Sequence, residues 1–351
     1  MENSLYSTLV LKARHLYINF TLCTADYLRT VFRRYNLERD PVDIINTAKS
    51  TFPSERFSVP SELLERITER LEDAVCHVVF GSNLIENKGA DFAYTADLCR
   101  RICHGEPIDI TDTDQHTPKY DQLLHTLKFR NLPEKQTDQP AITRARCEII
   151  QHVQALLWAI DNTVLAETPW TEDVVKSIHR ILCADMSDND GAPGEYRDTE
   201  YRIAIKYTDP KTGEEMVSGL VDSHDVPSHM ANWVESLNND IQQAKGGISF
   251  DPYDMSAKHY HHFINIHPFG EGNAQTARII LNCLVLKFTG HMIPMGEDES
   301  EKDEFLKLVI RSAREHGQEN GEVDPDEMLG HRGIARFMAR KSVAPLIKMI
   351  Q

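Results

Sequence analysis

Between Ile264 and Phe288 the chain reads INIHPFGEGNAQTARIILNCLVLKF, with a His, an acid and a Gly-Asn pair set just ahead of an amphipathic segment. Gly272 and Asn273 tolerate the unusual backbone of a tight turn. The helix that follows would point its unbonded N–H groups at that turn, an arrangement that attracts phosphate. Glu271 beside it is a hard oxygen ligand of the kind Mg2+ accepts while bridging phosphates. His267, one short loop upstream, can take a proton from a hydroxyl near neutral pH. Arg278 can reach back from the first turns of the helix as a two-pronged phosphate ligand. A base, a metal ligand, an anion nest and a cation together describe transfer of a phosphorus-containing group.

These residues resemble the Fic motif, HPFx(D/E)GN(G/K)RxxR, which His267, Pro268, Phe269, Glu271, Gly272, Asn273 and Arg278 match. The likeness extends to GEYR at Gly194–Arg197 and to DVPSHMANWVESL ahead of the motif, covering roughly residues 145 to 290. The resemblance implies transfer of AMP from ATP, or of a monophosphate from another nucleoside triphosphate, to a Ser, Thr or Tyr hydroxyl of a protein. It implies that His267 deprotonates that hydroxyl, that Glu271 holds Mg2+, and that Gly272 and Asn273 cradle the α- and β-phosphates. Arg278 would bind the γ-phosphate, with Gln275 in the same nucleotide site. The hairpin whose first strand holds Tyr201, Arg202, Ile203, Ala204 and Ile205 resembles the Fic flap, which registers an extended target segment by strand addition.

Upstream, GSNLIENKG contains Ser82, Glu86 and Asn87 in the pattern (S/T)xxxE(G/N), which resembles the inhibitory helix of Fic proteins that carry one before the core. Glu86 would then pair with Arg278 and occupy the charge a γ-phosphate needs. Some relatives with this glutamate also remove AMP again. One departure stands in the motif: the family has GNGR where this chain has Gly272-Asn273-Ala274-Gln275. Losing that arginine exchanges a charged hydrogen bond for a neutral one, a difference of about one or two orders of magnitude in triphosphate affinity. Three readings stay open: a weakened nucleotidyl transferase, a transferase with another phosphate donor, or a Fic fold acting by other chemistry or by binding alone. Gln275→Arg with Ala274→Gly is expected to tighten triphosphate binding.

The elements that must position these groups are mostly helical. SELLERITERLEDAVCHVVF spaces Leu64, Ile67, Leu71, Ala74, Val75 and Val78 at three and four residues, and EIIQHVQALLWAIDNTVL and HMANWVESLNNDI do the same. In TPWTEDVVKSIHRIL, Thr168 reads as the N-cap and Pro169 as the first helical residue. Residues 106–140 read as a long connection with one short helix near Tyr120–Leu127. Helices are expected around Phe305–Ala313 and Ile334–Met349. The expected fold is a mostly α, Fic-like domain with a small β-hairpin flap: an N-terminal helical region at 1–135 bearing the inhibitory helix, a core at 136–296 and a helical tail at 297–351. His259, His261 and His262 read as structural, and Tyr196 and Arg197 as supports for the loop before the flap.

The 351 residues carry a formal net charge of −16, which argues against a nucleic-acid or anionic-membrane partner. Seven cysteines without a CxxC pair suggest neither a disulfide framework nor a zinc site. No apolar run is long enough for a signal peptide or a membrane span. The expected setting is reducing and intracellular, cytoplasmic or nuclear, the expected partner a target protein, and a homodimer is compatible with the reading.

Overall fold

The structure, a computed structural model, describes residues 61–110, 139–184, 192–198, 204–208, 215–219, 221–245, 250–319 and 330–350. Its helices are α1 (Ser61–Ile85), α2 (Phe92–Cys103), α3 (Gln139–Ala159), α4 (Glu172–Leu182), α5 (Val226–Lys245), α6 (Pro252–Ile266), α7 (Asn273–Thr289), α8 (Glu299–Glu319) and α9 (Arg332–Ile350). Between α4 and α5 two strands, β1 (Ala204–Thr208) and β2 (Glu215–Gly219), pair antiparallel with Ala204 opposite Gly219 and Thr208 opposite Glu215. Tyr201, Arg202 and Ile203, the turn between the strands, and the expected short helix near Tyr120–Leu127 lie outside the described residues.

Helix α7 is the axis of the fold. Asn273, every residue from Gln275 to Leu286, and Thr289 are buried, the pattern of a helix covered on all sides rather than one with a single apolar stripe. Its neighbours are α6, α3, α4 and α1, with the turn after α3 also against it. Burying a side chain such as Ile279 or Leu281 stabilises by about 1.5–3 kcal/mol. Helix α6 leads into α7 through residues 267–272; Asp251 caps its start, accepting from the Tyr253 and Asp254 amides at 3.0 and 3.2 Å, with Pro252 in the first turn.

Helix α1 is longer than its apolar spacing suggested, running on through Gly81 and Ser82 to Ile85. Gly81 explains its close seat: a Cβ there would meet the Met295 carbonyl oxygen at 2.2 Å. The cap of α4 is a correction. Thr171, not Thr168, accepts from the Val174 amide at 3.2 Å, and the helix begins at Glu172. Trp170 decides this: its ring is buried, and Asn238 of α5 bonds both its N–H and its carbonyl, so the chain from 168 cannot begin to coil. Helix α3 passes into a π-helical turn, Ile160–Leu165, where the Asn162 and Thr163 side chains bond the carbonyls of Trp158 and Ala159.

Candidate active site

The turn between α6 and α7 is held by side chains around it that bond its backbone. His267 ends α6 in the left-handed region, φ 51, a conformation that a non-glycine residue holds only under constraint. Arg197 supplies the constraint: its guanidinium donates to the carbonyls of His267 at 2.7 Å, Ile266 at 3.3 Å and Val221, while its own amide donates to the Pro268 carbonyl at 2.9 Å. The Asn273 side chain braces the other end, accepting from the Phe269 amide at 2.9 Å and donating to the Phe269 carbonyl at 2.8 Å. What Asn273 can offer a ligand is therefore its backbone N–H. Thr276 is the first residue of α7 to bond back to the Gly272 carbonyl, which leaves the amides of Asn273, Ala274 and Gln275 without an intrahelical acceptor.

His179 of α4, to which sequence analysis gives no role, packs against this turn. Its ring stacks on Phe269 with centroids 3.7 Å apart. Nδ1 accepts from the Gly194 amide at 2.8 Å and Nε2 lies 3.0 Å from the Glu271 carbonyl oxygen, so the proton resides on Nε2. Burial lowers its pKa to about 4, the Glu271 carbonyl opposing. Gly272, at φ 69, is required for a second reason: a Cβ would meet Cys183 Sγ at 2.7 Å. Tyr196 donates to Glu172 at 2.8 Å and sits 5.6 Å from the Phe269 ring. Gly194, Tyr196 and Arg197 of GEYR thus support the His267 turn itself.

His267 is partly buried, and its pKa is lowered to about 4, first by desolvation and then by the Arg197 charge, with the Ile264 carbonyl and Glu86 pulling the other way. The imidazole is neutral at pH 7 and able to accept a proton. Glu271 is exposed on the same turn. Among the described residues no group of three or more His, Cys, Asp or Glu is set to hold a metal. An ion held by one carboxylate and by phosphate oxygens fits that donor set.

Arg278 is 1% exposed, and it faces α1. Its Nε donates to Ser82 Oγ at 2.7 Å, and one terminal nitrogen donates to the Ser82 carbonyl at 3.1 Å and to Glu86 Oε1 at 2.7 Å. The end of α1 makes this possible. Asn87 sits at φ 55, its amide bonds the Leu84 carbonyl, and the Lys88 amide bonds the Asn83 carbonyl, the two bonds of a Schellman cap. The Asn87 side chain accepts from Lys302 at 2.6 Å. Gln275 is buried here too: it donates to Asn83 Oδ1 at 2.9 Å and accepts from Lys88 Nζ at 3.2 Å. His152 of α3 shares the Asn83 oxygen at 2.9 Å and has a pKa lowered to about 3, chiefly by burial. The structure thus brings Ser82 and Glu86 to Arg278 and joins Gln275 to the same turn through Asn83 and Lys88, two residues that sequence analysis does not single out.

Comparison with known proteins agrees with this architecture. Residues 169–285 match the sequence model of the Fic/DOC family. A Fic-domain-containing signalling protein from Bacteroides thetaiotaomicron superposes with a TM-score of 0.59 at 18% identity, over 88% of this chain and 96% of that one. Fic-1 from C. elegans superposes at 0.53 with 16% identity, over 87% of this chain and 70% of that one. At such identities the likeness is one of fold. A curated relative, the small chain of ribonucleoside-diphosphate reductase from Ostreid herpesvirus 1, is 24% identical over 183 residues, 50% of this chain, and the match spans 28% of that protein's length. The segment that resembles the Fic/DOC family, residues 169–285, takes in α4, the β1–β2 pair and the α6–α7 turn.

Proposed function

We propose that the chain transfers a nucleoside monophosphate, AMP where ATP is the donor, to a hydroxyl of a target protein, and that Glu86 restrains the reaction. The observation that carries this reading is the contact of Arg278 with Glu86 at 2.7 Å beside the His267 turn. A guanidinium at the phosphate-attracting end of α7 already holds a carboxylate, the kind of charge a γ-phosphate would bring. In the reaction, the target hydroxyl gives its proton to neutral His267. Its oxygen forms a bond to the α-phosphorus as the bond from that phosphorus to the bridging oxygen breaks, and pyrophosphate leaves with the electron pair. The backbone amides of Asn273, Ala274 and Gln275 face the donor phosphates, and Glu271 is the residue that would hold Mg2+. That ion supplies charge neutralisation on the phosphates. The β1–β2 pair would register the target by strand addition.

A second reading, a Fic fold with another phosphate donor or a binding role, is favoured by one observation: Gln275 is engaged by Asn83 and Lys88. The test is intact-mass spectrometry of Glu86→Gly protein incubated with Mg2+ and each common nucleoside triphosphate, with His267→Ala on the same background. Gain of one nucleoside monophosphate that disappears with His267→Ala is expected, with a rate loss of about 10²–10⁴. No gain with any donor would pass the site to the second reading.

A further inference from the structure

The Schellman cap of α1 projects two side chains of opposite charge onto one face of α7. Glu86 reaches Arg278, and Lys88 reaches Gln275, one helical turn closer to the His267 loop. Gln275 is the third residue of α7, and its amide is among those left without an intrahelical acceptor. The Lys88 ammonium therefore lies against the side chain of a residue whose own amide belongs to the nest, and it is charged where Gln275 is neutral. Its charge is felt in that corner: it opposes the upward shift of the Cys183 thiol, which lies under Gly272, and adds to the downward shift of His152.

We propose that Lys88 is a phosphate-binding residue for the donor, bringing from α1 a second cation to stand with Arg278 at the start of α7. The inference rests on the transferase reading above and deepens it. A lysine at this place works as a flexible point charge, able to leave Gln275 Oε1 for a phosphate oxygen while the cap beneath it stays formed. Glu86 and Lys88 then act in opposite directions on one triphosphate, two residues apart on one turn. The α1 turn is both the restraint on the site and part of it, so removing the whole turn disables a site that removing the Glu86 side chain alone sets free.

The experiment is titration calorimetry with Mg-ATP, inorganic tripolyphosphate and adenosine on Glu86→Gly protein, alone and combined with Lys88→Met, Lys88→Arg, or Lys88→Met plus Gln275→Arg. Loss of one charge-assisted contact should weaken ATP and tripolyphosphate by about tenfold or more, leave adenosine unchanged, and be reversed by Lys88→Arg and by Gln275→Arg. Affinities for ATP and tripolyphosphate that match Glu86→Gly within about twofold, or an equal loss for adenosine, overturn the role of Lys88 and leave the transferase reading intact. Absence of ATP and tripolyphosphate binding by Glu86→Gly itself overturns both.

Discussion

The His267–Gly272 turn and the Glu86–Lys88 turn meet on the same end of α7 but are held in opposite ways. The first is closed by bonds from its surroundings to its own backbone: Arg197 on the His267 carbonyl, Asn273 on Phe269, His179 on Glu271. The second is a helix cap whose side chains point outward and bond residues about 190 positions away, with Glu86 and Arg278 separated by 192. One turn is a fixed scaffold, the other a removable contact. Damage to the first should abolish activity, and damage to the second should raise it or alter its grip on the donor.

Acid gives the largest effect and acts on both turns, because neutral histidines are buried beside each of them and just beyond the end of α7. Burial holds His152 at about 3 and His179, His267 and His291 at about 4, all below the ordinary 6.5. The unfolded chain binds those protons below about pH 6.5 and the folded chain does not. Stability that is fully present above 6.5 is therefore lost as pH falls toward 4, on the order of several kcal/mol in sum. Melting temperatures at pH 7, 5.5 and 4.5 check this, and a flat profile would contradict it.

Next in size is Arg197→Ala in the Glu86→Gly background, which frees the His267 backbone and removes one of the charges that lower the His267 pKa. A misplacement of about 1 Å lowers the labelling rate by about 10²-fold, while ATP affinity stays near that of Glu86→Gly. Equal loss in affinity would mean that Arg197 shapes the donor site rather than positions the base. Smaller is Ser82→Ala, which removes the Ser82 hydroxyl's bond to Arg278 and loosens the Glu86 contact. A buried hydrogen bond is worth about 1 kcal/mol, so basal labelling should rise about fivefold, as the initial rate of mass gain would register. Gly81→Ala tests the same seat from the backbone: its Cβ overlaps the Met295 carbonyl, so α1 must shift. It should lower the melting temperature by a few degrees and raise labelling by less than Glu86→Gly does. A faster rate than Glu86→Gly would show that the helix, not its carboxylate, is the restraint.

How legible these turns were differs in the same way. His267, Glu271, Gly272 and Arg278 stand within twelve residues, and their types at that spacing are the ones on which the proposed phosphoryl chemistry rests. The long helices were legible because apolar residues recur every three or four positions, although the start of α4 was misplaced: the bonds that fix Trp170 come from Asn238, 68 residues away. His179 was hidden by its position on a helix stripe, where a buried imidazole looks like any other core side chain. Lys88 and Asn83 were hidden for a different reason. A lysine after a helix end is ordinary in sequence, and only the left-handed Asn87 turns it back toward a helix whose first residue lies 185 positions on. Gln275 read as a weakened nucleotide contact because its partners across that distance were not visible; with Asn83 already filling its donor side, Gln275→Arg would also press on the α1 cap.

The seat of Gly81 against Met295 has one more consequence. Because α1 is docked by its backbone, Glu86 behaves toward Arg278 as a tethered ligand whose local concentration is set by geometry and not by the amount of protein present. A flexible tether alone gives millimolar effective concentrations, and a docked helix exceeds that. Dilution therefore leaves the pair intact, and under the proposed function a free triphosphate would have to compete with it. Under the proposed function, the donor level for half-occupancy would be raised by that pair, to an extent set by how closely one glycine lets a helix approach its neighbour.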